Sequence, residues 1–187
     1  MTDRPELPQE ELTKPLSSGG TKEPLELLPE REWLNAQIKD VEYRIAMFNG
    51  QVQYLTDFET KEPILRDGEK IPRKEFNITF NLNDYALKNG DPRKAWLKLG
   101  SSFSDKGHLK PFLMSVVPNA ISNIETPKDV VNCLIGTPVK LQLTNKQSKD
   151  GTRTYQNVVW DAVKVGAKEQ DTADVQKALE EENWDSD

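Results

Sequence analysis

The chain has 187 residues, 35% of them hydrophobic and 30% charged, with one histidine, one cysteine and a formal net charge of −6. That length allows one domain with a proper core, while the charge content implies ends that bury too little surface to order. A lone Cys133 excludes an internal disulfide, no apolar run approaches the roughly 20 residues of a membrane span, and no signal peptide is evident, so a cytoplasmic protein is expected.

The charge is unevenly placed. Residues 1–30 hold 3 basic and 7 acidic side chains, residues 31–166 hold 20 and 16, and residues 167–187 hold 2 and 8. The acidity therefore belongs to the ends, and the middle of the chain is mildly basic. Three parts are expected: a disordered N-terminal arm (1–30), a folded domain (31–166) and an acidic C-terminal tail (167–187). The arm has Pro5, Pro8, Pro15, Pro24 and Pro29, a Ser17-Ser18-Gly19-Gly20 run and no sustained periodicity.

Order is expected from Trp33. Leu34, Ala36 and Ile38 alternate with polar residues, and Val41, Tyr43 and Ile45 continue on the other phase. A phase change inside one long strand predicts a bulge, which bends a strand from one side of a small barrel to the other. Asn49-Gly50 is a turn pair, after which Val52, Tyr54 and Phe58 can return as a short hairpin strand. Residues 59–74, with Pro63, Gly68 and Pro72 among Lys61, Arg66, Lys70, Arg73 and Lys74, read as a long basic loop.

Phe76, Ile78, Phe80 and Leu82 alternate with polar residues in the clearest strand of the chain. After the Asn89-Gly90-Asp91-Pro92 turn, Ala95, Leu97 and Leu99 alternate with Lys94, Trp96 and Lys98, which places an aromatic between two cations on the face away from the core. The period then becomes helical. Leu109, Phe112, Leu113, Val116 and Val117 recur at three and four residues with Pro111 early in the helix, and Thr126-Pro127-Lys128-Asp129 resembles a cap opening a second helix that Gly136 stops.

Residues 136–165 close the pattern as a β-hairpin. Val139, Leu141 and Leu143 face inward, Lys140, Gln142 and Thr144 face outward, and the loop from Lys146 to Arg153 contains the Asp150-Gly151 turn pair. On the returning strand Val159, Val163 and Val165 are expected inside, which would turn Trp160 outward as a second stacking platform. Tyr43 and Tyr54 fit a core edge as well as a binding face.

The order is three strands with an inserted hairpin, a helical connection, then two strands. This matches a mainly β, five-stranded OB-fold barrel, in which the helix lies between strands three and four and the one–two and four–five loops flank the binding face. The run Gly136-Thr-Pro-Val-Lys-Leu-Gln-Leu, followed by Lys149-Asp-Gly-Thr-Arg-Thr-Tyr-Gln-Asn-Val-Val, resembles the last two strands of OB-fold single-stranded DNA-binding proteins of phage and archaeal type. The resemblance implies single-strand binding through Lys146, Lys149 and Arg153 in the last loop, with aromatics on the barrel face.

Single strands are held by stacking on aromatics plus a basic groove along the backbone. Lys94, Trp96 and Lys98 supply both ingredients on one strand face, and Lys140, Trp160, Arg66, Arg73 and Lys74 are further candidates. DNA and RNA stay open at this point. Enzymatic chemistry has no comparable support: His108 reads as a helix-start residue, Cys133 as a small buried hydrophobe, and Asp57, Glu59 and Asp67 as solvated charge. No Gly-rich phosphate loop, nucleophile elbow or metal spacing occurs, so no cofactor or metal is expected. The tail, with Thr172 as a cap, Val175 and Leu179 on one face and Trp184 among acids, is expected to mimic phosphate in the groove or to offer Trp184 to replication or recombination proteins. The competing reading is a protein-interaction scaffold whose groove binds polypeptide.

Overall fold

A computed structural model describes residues 26–166. Its main sheet is antiparallel and five-stranded, in the order β7-β6-β1-β8-β9, with β1 spanning Leu34–Ile45, β6 Lys74–Ala86, β7 Pro92–Gly100, β8 Pro138–Gln147 and β9 Thr154–Val165. The edge strands β7 and β9 approach each other.

Each long strand forms where apolar residues alternate. Leu34, Ala36, Ile38 and Val41 of β1 and Phe76, Ile78, Phe80 and Leu82 of β6 are buried. The register between the two strands shifts between Ile38 and Asp40, which leaves Lys39 as the bulge residue and lets both phases of β1 reach the core. Helix α1 (Leu109–Val116) buries Leu109, Phe112, Leu113 and Val116, and packs on β9, where the Ser115 hydroxyl donates to the Val163 carbonyl at 2.7 Å. Helix α2 (Pro127–Leu134) opens with a reciprocal capping box between Thr126 and Asp129, and buries Val130 and Leu134. A 3-10 segment, Pro118–Asn123, joins the two helices. No described helix is long and apolar enough to cross a membrane.

Four expectations need correction. The segment before Trp33 is not free up to Glu30: Leu28 is buried, its N–H and C=O both bond the Gln156 amide, and the Arg31 N–H donates to the Leu143 carbonyl. Burial of one leucine is worth about 1.5–3 kcal/mol, enough to bring a short strap onto the sheet.

Residues 59–74 are not the long loop expected; with the hairpin across Asn49-Gly50, which is present as expected, they make one continuous element over residues 46–73. They fold into a projecting arm of short pairings, β2 (Met47–Phe48) with β3 (Gln51–Val52) and β4 (Leu65–Arg66) with β5 (Glu69–Lys70), tied by bridges between Tyr54 and Pro72 and between Thr56 and Pro63. Phe58 lies outside these strands, and Ile45 at the arm's base is exposed rather than inside. The inward phase of β9 also differs. Val158 rather than Val159 is buried together with Val163, because the four residues between Val158 and Val163 stand opposite the single Gln142 of β8, and Val165 at the end of the strand is exposed.

Candidate nucleic-acid interface

Strand β7 presents its two faces as the alternation requires. Ala95, Leu97 and Leu99 fill the core, and Lys94, Trp96 and Lys98 stand outward opposite Asn81, Thr79 and Asn77 of β6. Trp96 is 55% exposed, so its ring is not spent on packing.

Across from this face the β8–β9 hairpin extends beyond the body of the sheet. Lys146 pairs with Tyr155, and Tyr155 is 50% exposed. The hairpin loop is held by its own polar groups: the Ser148 N–H donates to the Arg153 carbonyl at 2.8 Å, and the Arg153 N–H to the Ser148 hydroxyl at 3.0 Å. The Asp150 carboxylate accepts from the Ser148 hydroxyl and, at 3.1 Å, from the Thr152 N–H; these bonds stabilise its ionised form and lower its pKa to about 2. Gly151 takes the left-handed conformation the reversal needs, at φ 70°.

Between β7 and the hairpin lies an open groove of ≈ 1730 Å³. Among the described residues its walls carry Trp96 and Tyr155 together with Lys39, Arg93, Lys94, Lys146 and Arg153, against a single acid, Asp91. The strap closes one side with Leu27 and Leu28. Gln156 fixes that side by donating to the Leu28 carbonyl (2.8 Å) and the Asn145 side chain (3.0 Å) while accepting from Arg93 (3.2 Å). Glu30 anchors the strap's end. Its carboxylate accepts from the Thr144 hydroxyl at 2.9 Å and the Asn145 N–H at 3.0 Å, and these bonds, with the backbone contact the larger, hold its pKa below the usual range. On the groove lining, Asn81 Oδ1 is a buried acceptor with no hydrogen-bond partner.

Of the residues singled out in the sequence, Lys94, Trp96, Lys146 and Arg153 meet in this groove. Lys98 and Lys149 are exposed but stand outside its lining, Lys98 further along β7 and Lys149 at the hairpin tip. Lys140 lies on the outer face of β8 between Asn35 and Lys164, away from it. Arg66, Arg73 and Lys74 belong to the arm and its base, where Lys74 sits 5.7 Å from the Tyr43 ring centroid. Trp160 is half-buried against the core with its ring 4.2 Å from that of His108, centroid to centroid. It packs the start of α1, and the outward orientation expected for it is corrected by the extra residues of β9.

Sequence reasoning missed Tyr155, Lys39, Arg93 and Asn81. Tyr155 was findable, because a hairpin with Lys146 outward carries its cross-strand neighbour outward too. Trp184 and the acidic tail lie outside the described residues, as does the arm before residue 26. Cys133 is half-buried, with burial raising its thiol pKa, and no cluster of three or more potential metal ligands occurs among the described residues. No protein-family model matches the chain, and no curated protein matches it significantly.

Proposed function

We propose that the sheet is an OB barrel and that the chain is a non-catalytic single-stranded DNA-binding protein serving replication, recombination or repair. The strand order supports the barrel reading: in chain order the five long strands are neighbours as three-two-one-four-five, with the helices between the third and fourth. One observation carries the binding reading. The groove between β7 and the last hairpin combines two half-exposed aromatics with five cations and one acid.

Each stacked base contributes about 1–3 kcal/mol, and the flanking cations track the phosphates without reading sequence. Arg93 is engaged with the strap, which leaves Lys39, Lys94, Lys146 and Arg153 to meet phosphate. Four such contacts give a log–log salt slope of about −3 for single strands. Titrating the full chain with oligodeoxythymidylate at two salt concentrations tests this. A steep loss of affinity with salt is expected; absence of binding at low salt, or binding indifferent to salt, would remove the proposal in favour of a protein-binding groove. Oligoribonucleotides in the same titration separate DNA from RNA.

A further inference from the structure

We propose that the arm formed by residues 46–73 is a self-association surface through which two copies of this chain pair in solution. Eight of the sixteen large apolar side chains exposed among the described residues fall between Ile45 and Leu65. The two most exposed are both phenylalanines, Phe58 at 87% and Phe48 at 67%. Scattered apolar residues need no explanation, but half of them concentrated on one small element do.

The arm is a built element. The Ala46 N–H donates to the Arg73 carbonyl and the Arg73 N–H to the Gln53 carbonyl, each at 2.8 Å, while the Leu55 N–H donates to the Ile71 carbonyl at 2.9 Å and the Ile64 N–H to the Leu55 carbonyl at 2.8 Å. These bonds fix the backbone, so the surface has a defined shape.

Charge selects the occupant. Residues 46–73 hold four basic and five acidic side chains, so the cations that read as a phosphate track are cancelled by Asp57, Glu59, Glu62, Asp67 and Glu69. A polyanion gains little there, whereas two near-neutral arms do not repel. Adjacent opposite charges, Lys61 with Glu62 and Glu69 with Lys70, can pair reciprocally across a twofold axis, as a self-complementary contact requires. Area sets the size of the contact: the eight residues expose on the order of 800 Å², but neighbours such as Met47 and Phe48 alternate in face, so one contact takes about half of it, the small end of specific interfaces.

Sedimentation equilibrium of the full chain without nucleic acid tests the pairing. The expected mass is twice the 21.3 kDa of one chain. The double variant Phe48→Ser/Phe58→Ser should run at 21.3 kDa with an unchanged circular dichroism spectrum, while Trp96→Ala keeps the dimer. A wild-type monomer at concentrations up to about 100 µM, above the micromolar end of interfaces this size, overturns the proposal. So does a double variant that stays dimeric, which would place the contact elsewhere. A monomeric wild type whose oligonucleotide affinity falls in the double variant would assign the arm to nucleic acid instead.

Discussion

At the scale of single residues, the two kinds of groove contact separate by their salt response. Trp96→Ala should weaken oligonucleotide binding by about 1–3 kcal/mol with the salt slope unchanged, whereas Lys146→Ala should reduce the slope by about 0.7. Fluorescence titration across a salt series measures both. The Asp150 carboxyl offers a pH test of the hairpin loop. Its folded pKa, about 2, lies below the ordinary 3.8, so the loop's hydrogen bonds contribute fully above the ordinary value and are lost as pH falls toward about 2. An NMR titration of the carboxyl should find that midpoint, with a lower protection factor for the Thr152 amide at the acid end; a midpoint near 3.8 would show that the bonds do not persist. Trp96 was legible in the sequence because an unbroken alternation fixes its face. Trp160 was not, because a strand that inserts residues opposite Gln142 changes phase without any turn residue to mark the change.

At the scale of elements, the legible pieces are those with a local cause. The Thr126–Asp129 box and Gly136, at φ 82°, bracket α2 by chemistry that acts within a few residues. The bulge of β1 showed as a break between two alternating runs. The arm showed only in its first hairpin, over Asn49-Gly50, because the rest pairs in two-residue pieces interrupted by prolines; the strap did not show, since Leu28 is held from Gln156, 128 positions away. The strap is nonetheless part of the domain. Leu28→Ala should lower stability by about 2 kcal/mol, the lower end for a buried leucine at a periphery, as read from denaturant unfolding. An unaltered midpoint would mean that residues 26–30 rest on the sheet without supporting it. Because Leu27 and Leu28 also wall the groove, the same variant should bind oligonucleotide less tightly.

At the scale of the molecule, the succession of long strands along the chain was legible because each announces itself by period two, and the β6–β7 and β8–β9 connections by their turn pairs. The meeting of β7 with the tip of the β8–β9 hairpin was not, since no pattern along one strand encodes which other strand it faces across a groove. Charge distribution was legible at this scale. Residues 168–187, outside the described part, hold eight acids and two bases, opposite in sign to the groove. If they compete for it, deleting them should tighten single-strand binding, most clearly at low salt where screening is weak. Equal affinity of full and shortened chains at every salt concentration would exclude competition and leave partner recruitment through Trp184.

The Glu30 carboxylate is held by a hydroxyl and a backbone amide of β8. The protein thus keeps an anion of its own against the outer edge of the hairpin, and with its pKa held low that anion stays charged through the neutral range. If a single strand follows the groove, its backbone should meet repulsion on that side and attraction past Lys146 and Arg153. On the proposed reading the carboxylate would act as a fence that gives the track a direction, so that neutralising it by Glu30→Gln should widen the footprint on a long strand before it alters affinity for a short one.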